Sequence, residues 1–313
     1  MSEANSQATH RDSYVTAFIN GKGGTLKTSL TCNVAGACAK AGFRTAIVDL
    51  DTQGNVGLNL GFAGEDNDDQ GKAIVDALEH DEPLRVSVLE ARPGLDVIPG
   101  GQYLARLGSM AAFDPTIYGR FQEKFHEAIA PYKLVFLDCP PGDQVHQTLA
   151  MSVADGIVVP VTHDGGDADG VRRVGALATS VQKYHGNPDL TYLGYVVCAH
   201  PRNATRMLAL TQETLEPIAH LIPPFNTTIG ESKSAAQQCR ERGQLIHELA
   251  ADTPDRAARY AALRERAEDP EAAERANLPQ ASIGVADDYL RFTDELLERM
   301  ARLIRRAPAE AVS

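Results

Sequence analysis

The chain has 313 residues, 43% of them hydrophobic and 23% charged, with a formal net charge of −12. That length and apolar content suit one large domain or two smaller ones and exclude collagen-like, low-complexity and wholly disordered classes. No apolar run approaches the roughly 20 residues of a membrane span, and the acidic balance argues against a protein that coats nucleic acid through bulk charge, while leaving room for a local basic face.

Residues 1–13 are polar, lack the basic-then-apolar pattern of a secretory signal, and are expected to form a flexible N-terminus. Residues 14–20 (YVTAFIN) form a β-rich apolar run that ends at a glycine cluster. Residues 28–41 carry helix formers with Leu30, Val34, Ala37 and Cys38 as apolar positions, and residues 44–50 (RTAIVDL) read as a second buried strand. Parallel strands joined in this way need helices on both faces of the sheet. Residues 63–72 (AGEDNDDQGK) read as an acidic, solvated surface turn. Further strands are predicted at 134–137, 157–161 and 192–197, with helices near 144–152, 167–184 and 203–220. The alternation predicts an α/β fold: a doubly wound, mostly parallel sheet with helices on both faces.

Residues 252–282, rich in Ala, Arg, Glu and Pro, are expected to be a peripheral helical insertion, so that 14–251 forms one body and 252–313 a helical extension packed on it. The closing stretch, 290–306, is amphipathic, with Leu290, Leu297, Met300, Leu303 and Ile304 near one stripe. A helix packed on the domain is favoured over a membrane-targeting helix, because Asp294, Glu295 and Glu298 would oppose an anionic bilayer. Cys32, Cys38, Cys139, Cys198 and Cys239 are dispersed with no C-x-x-C, the pattern of reduced thiols in a cytoplasmic protein.

The most informative stretch is Gly21-Lys22-Gly23-Gly24-Thr25-Leu26-Lys27-Thr28-Ser29, directly between a predicted strand and a predicted helix. In a P-loop, successive backbone N–H groups curl around a phosphate and the helix N-terminus adds its dipole. Lys27 then stands where a lysine reaches the β- and γ-phosphates, and Thr28 where a hydroxyl takes Mg²⁺. The bland alternative is a glycine-rich turn with a solvated lysine. Asp49 and Asp51 at the end of the second strand, and Asp138 at the end of a later one, weigh against it, because the carboxyl ends of strands form the ligand crevice in open α/β sheets. Carboxylates beside a polyanionic nucleotide need a divalent cation between them.

KGGTLKTS, DLDTQGN and LDCPPG, in that order, resemble the deviant Walker P-loop ATPases of the ParA/MinD family, and within it the ParA DNA-partition branch, over about residues 14–250 plus the terminal helix. The resemblance implies ATP and Mg²⁺ as cofactors and an ATP-sandwich homodimer. It also implies non-specific duplex DNA and a ParB-like centromere-binding protein as partners, and a cytoplasmic, nucleoid-associated location. It assigns Lys22 to the lysine that crosses the dimer, Lys27 to the β/γ-phosphates and Ser29 to the neighbourhood of the α-phosphate. Thr28, Asp49 and Asp138 become the Mg²⁺ residues, the two aspartates through water. Asp51 orients the attacking water, Gly21, Gly23, Gly24, Thr25 and Leu26 line the phosphate cradle, and Pro140, Pro141 and Gly142 begin a γ-phosphate switch. Arg172, Arg173, Lys183, Arg202, Arg206, Lys233, Arg240 and Arg242 are the DNA candidates.

The chain departs from the family at Leu26, where the family has glycine, and at Gly230, where a family loop usually carries arginine. Glycine before the P-loop lysine permits backbone conformations that a branched side chain obstructs, so slow hydrolysis is expected. The alternatives are a non-hydrolysing nucleotide-dependent adaptor and a MinD-like membrane or cargo positioner.

Overall fold

The computed structural model describes residues 13–162, 167–201, 204–253 and 281–306. The apolar runs become strands β1 (Tyr14–Phe18), β2 (Thr45–Asp49), β5 (Leu134–Asp138), β6 (Gly156–Val161) and β7 (Thr191–Val197), with β3 (Val88–Arg92) and β4 (Leu95–Ile98) between them. They form one seven-stranded sheet in the order β3-β4-β2-β5-β1-β6-β7, parallel throughout except for the β3–β4 pair. Every residue of β1, β2, β5 and β6 is buried, and strands covered on both faces read as continuous apolar runs. The β3–β4 hairpin was not anticipated. β3 is an edge strand with exposed Leu89 and Glu90, and it shows neither a run nor a clean alternation.

Helices cover both faces: α1 (Lys27–Lys40), α2 (Asn55–Leu60), α3 (Lys72–Glu79), α4 (Leu107–Phe113), α5 (Ile117–Ile129), α6 (Gln144–Val153), α7 (Asp167–Tyr184), α8 (Thr205–Leu215), α9 (Lys233–Arg242), α10 (Ile246–Asp252) and α11 (Ala281–Arg306). Because strand side chains alternate between faces, Phe18, Ile47 and Phe136 pack with Leu30, Val34, Leu249, Phe292 and Leu296. Val15, Val48, Val135 and Ile157 pack with Leu78, Phe121, Phe125, Leu149 and Val174 on the other side. The acidic stretch 63–72 is a built turn, with Asp68 accepting from the Gly64 amide at 2.9 Å and Asp69 from the Gly71 amide at 2.9 Å. All five cysteines are buried free thiols.

The terminal helix α11 packs on α1 and α10. Its apolar stripe is offset from the expected one. Val285, Tyr289, Phe292, Leu296 and Met300 are buried, Leu297 and Leu303 are partly buried beside them, and Leu290 (45% exposed) and Ile304 (54% exposed) face outward. One residue along a helix is a turn of about 100°, so Leu290 and Ile304 fall off the stripe that Tyr289 and Phe292 set, while Leu297, Met300 and Leu303 fall on or beside it. Two charges secure the helix. Arg299 donates to the carbonyls of Leu193 (2.7 Å) and Pro223 (3.2 Å) and lies 3.8 Å from the centroid of the Phe225 ring. Glu295 accepts from the amides of Asn226 (2.9 Å) and Thr227 (3.0 Å). The expected flexible N-terminus, apart from Ser13, and most of the expected insertion at 252–282 lie outside the described residues.

Candidate nucleotide-binding site

Strand register assembles the site. Asp138, the last residue of β5, pairs with Phe18 at the end of β1 on one side and with Asp49 at the end of β2 on the other. Neighbouring strands lie about 4.8 Å apart, so the two aspartates and the start of the glycine loop share one edge of the sheet. Asn20 pins the loop at its entry: its side-chain amide donates to the Pro160 carbonyl at 2.6 Å and its side-chain oxygen accepts from the Lys22 amide at 3.0 Å. α7 approaches closely here, since a Cβ on Gly170 would fall 2.5 Å from Asn20 Oδ1 and one on Gly21 would fall 3.6 Å from Arg173 Nε. The loop after β5 lies against the glycine loop too, with Pro141 Cγ 3.9 Å from the Cβ position of Gly23.

Within the loop, Lys27 is only 7% exposed and its ammonium donates to the Lys22 carbonyl at 3.0 Å. Thr28 Oγ1 donates to Asp138 Oδ2 at 2.6 Å, and Thr31 Oγ1 reaches Asp138 Oδ1 at 3.4 Å. Asp49 accepts from the amides of Asp51 (2.8 Å) and Val56 (3.3 Å), while Asp51 accepts from the Gln53 amide at 2.9 Å. Asp49 and Asp138 are wholly buried. Burial pushes the Asp138 carboxyl up to about 7, with the Asp51 charge adding to the rise and Thr28 and Lys27 opposing it. Burial and the charge of Asp138 likewise hold the Asp49 carboxyl well above the usual carboxylate range.

These groups fit Mg²⁺. Two buried carboxylates beside a hydroxyl form a hard, all-oxygen donor set whose negative charge is only partly balanced by Lys27. Among the described residues no three His, Cys, Asp or Glu side chains form a metal cage.

Leu26 adopts the left-handed conformation, φ 62° and ψ 22°, at the N-cap of α1. For a residue with a Cβ this costs roughly 1–2 kcal/mol. Its side chain is half-buried against the apolar cluster that contains Leu30 and Val34. Leu26→Gly removes the strain but also this packing, and adds about 0.5–1 kcal/mol of chain entropy. The melting temperature should therefore move little while nucleotide binding tightens several-fold, which titration calorimetry measures. Unchanged affinity would show that Leu26 does not hinder the ligand.

A family model described as "AAA domain" (AAA_31) matches residues 13–192. The chromosome partitioning protein ParA of Caulobacter vibrioides is 30% identical over 195 residues, covering 60% of this chain and 70% of that protein. The chain belongs to the ParA/MinD family of ATPases. The cell division protein PomZ of Myxococcus xanthus is 30% identical over 213 residues, covering 66% of this chain and 63% of that protein. In fold, the ATP complex of an McdA from Cyanothece superposes with a TM-score of 0.67 at 15% identity, over 92% of this chain and 97% of that one.

Within this ParA/MinD frame the basic candidates scatter over three helices. Arg172, Arg173 and Lys183 stand on α7, Arg206 on α8, and Lys233, Arg240 and Arg242 on α9, all exposed. Arg172 pairs with Asp169 at 3.0 Å and Lys233 with Glu231 at 3.4 Å, and Arg173 borders the glycine loop at Gly21. Arg202 lies outside the described residues. Gly230 donates its amide to Asp288 at 3.0 Å, joining that loop to α11.

Four residues that shape the site escaped sequence reasoning: Asn20, Gly100, Gln147 and Gly170. Gln147 donates to the Pro140 carbonyl at 2.8 Å, and a Cβ on Gly100 would fall 2.6 Å from both Asp49 Cγ and the Asp51 carbonyl. Of these, only Gly100 stands in a recognisable pattern, closing the apolar stretch of residues 95–100 (LDVIPG).

Proposed function

We propose that this protein is a DNA-partition ATPase: ATP joins two copies into a sandwich dimer that binds duplex DNA without sequence preference, and hydrolysis releases it. The observation that carries this reading is the register row of Asp49 and Asp138 beside a loop with two lysines, Lys22 and Lys27. Backbone amides from Gly21 through Leu26 cradle the phosphates, Lys27 exchanges its bond to the Lys22 carbonyl for phosphate oxygens, and Ser29 lies by the α-phosphate. Thr28, Asp49 and Asp138 would hold Mg²⁺, and the cation would offset phosphate charge. Asp51 orients the attacking water, and Pro140, Pro141 and Gly142 respond to the γ-phosphate. Phosphoryl transfer needs mainly positioning and charge stabilisation, so these groups suffice. Lys22 reaches the partner copy's phosphates, which holds catalysis back until two copies meet.

The basic residues of α7, α8 and α9 form the DNA face. A ParB-like protein stimulates turnover on a plasmid, prophage or chromosome in the cytoplasm. Residues 14–251 make up the ATPase body and 252–313 its helical extension. The apolar stripe of α11 is spent on the domain, which favours DNA over a lipid surface, and no helix among the described residues is long and apolar enough to cross a membrane. The strained Leu26 favours a second reading, an adaptor that binds ATP and does not turn it over.

The test is binding to a random-sequence duplex with ATP·Mg²⁺, with ADP·Mg²⁺ and without nucleotide across a salt series. Partition predicts binding with ATP alone that weakens steeply with salt. ATP binding without phosphate release, even with DNA and partner present, selects the adaptor. Lys22→Ala should keep nucleotide binding and lose the ATP-induced dimer in light scattering; a normal dimer would remove Lys22 from the cross-dimer role.

A further inference from the structure

Behind the site lies a buried histidine that the reading above does not use. His146, in the first turn of α6, is 1% exposed. Its Nε2 lies 3.0 Å from the Leu104 carbonyl oxygen and its Nδ1 lies 2.8 Å from Asp143 Oδ1. A carbonyl only accepts, so Nε2 carries the proton and donates. Asp143 is the N-cap of α6 and accepts from the amides of Val145 (3.0 Å) and His146 (3.2 Å). Burial acts to raise its carboxyl, and the His146 ring and these amides outweigh it, leaving Asp143 below the usual range.

The contacts run in both directions. Asp143 directly follows Gly142, which has a φ of 70°, and Gln147, next to the histidine, holds the Pro140 carbonyl at 2.8 Å. Leu104 sits in the 3₁₀ turn Gln102–Arg106, which begins directly after Gly100 and Gly101. Gly100 in turn lies under Asp49 and Asp51, and a Cβ on Gly54 would fall 3.1 Å from the Gly100 carbonyl oxygen. One imidazole thus joins the loop after Asp138 to the turn that supports the loop of Asp49 and Asp51.

We propose that His146 is a positioning residue that makes these two carboxylate-bearing loops move together. The proposal rests on the nucleotide-site reading. An apolar residue could fill the same space, but it could not donate to the Leu104 carbonyl while its ring lies against the Asp143 cap.

The experiment uses the full chain with His146→Leu, which keeps volume and loses the donor, and His146→Gln, which can still donate to Leu104. Amide exchange is followed in residues 49–56, 100–106 and 138–143, with ATP·Mg²⁺, with ADP·Mg²⁺ and without nucleotide, and affinity is measured with a fluorescent ATP analogue. Without nucleotide, exchange in 100–106 should rise at least tenfold in His146→Leu and stay near wild type in His146→Gln. With ATP·Mg²⁺, His146→Leu should bind within about threefold of wild type and keep protection in 138–143 but lose it in 49–56, and turnover should show a lower kcat at unchanged KM.

Wild-type exchange in 100–106 for His146→Leu, or equal losses in both variants, overturns the proposal. If His146→Leu does not fold, Asp143→Asn, which keeps the cap acceptor, must show the same uncoupling in smaller degree. Wild type that fails to bind ATP would refute the nucleotide-site reading, while the nucleotide-free exchange would still decide the role of His146.

Discussion

Asp138→Asn should raise the stability of the nucleotide-free protein at pH 8 by on the order of 1–3 kcal/mol while removing its response to ATP·Mg²⁺. The Asp138 carboxyl is raised from an ordinary value of 3.8 to about 7 in the folded chain. Below the ordinary value both folded and unfolded chains hold the proton. Between that value and about 7 the folded chain still holds a proton that the unfolded chain has released, so stability falls as pH rises through this window. Asparagine cannot ionise and should flatten much of the slope. Asp49, raised by burial first and by Asp138 second, retains a share of it. Urea titrations from acid to pH 8, with and without ATP·Mg²⁺, measure both effects. Parallel stability curves for variant and wild type would mean that Asp138 is not a strained buried charge. Opposite signs for stability and ligand response are expected of a group retained for binding.

The second large effect is expected at Gly100→Ala. The added methyl would stand 2.6 Å from Asp49 Cγ and 2.6 Å from the Asp51 carbonyl, and neither can yield freely. Asp49 is held by two backbone amides, and the other contact is backbone. Overpacking of this kind costs about 1–3 kcal/mol. Displacing Asp49 and Asp51 together should lower turnover by on the order of 100-fold, as small misplacements in reacting groups do. Gly108→Ala in α4 is the control, since a Cβ there meets nothing within 4 Å, and it should be neutral or slightly stabilising. A Gly100→Ala protein with normal melting and turnover would show that the turn is free to retreat.

What the sequence made legible was chiefly what burial on both faces leaves behind. The runs at β1, β2, β5, β6 and β7 are continuous because no strand face meets water, and the glycine loop stands between two unambiguous elements. Three acids were expected to converge on that loop; Asp49 and Asp138 share a single register row, and the charge of Asp51 acts on both. The row itself was not readable, because which strand lies beside which is a long-range fact. The same limit hid Gly100, whose need for a missing side chain comes from residues some fifty positions earlier in the chain. His146 looked like any polar residue in a helix until Leu104 was brought beside it. In α11 the periodicity placed Leu297, Met300 and Leu303 on or beside the buried stripe, whereas Tyr289 and Phe292 take the inside where Leu290 was expected.

The way α11 is held also bears on how the chain comes off the ribosome. Synthesis adds this helix after every strand of the sheet, yet Phe292 and Leu296 complete the cluster around Phe18 and Phe136 in the first-made half. Until α11 emerges and Arg299 closes over Phe225, the nascent chain carries an open apolar face of the kind that chaperones bind and that aggregates when crowded. Products of premature termination before α11 should therefore be cleared by proteolysis or precipitate.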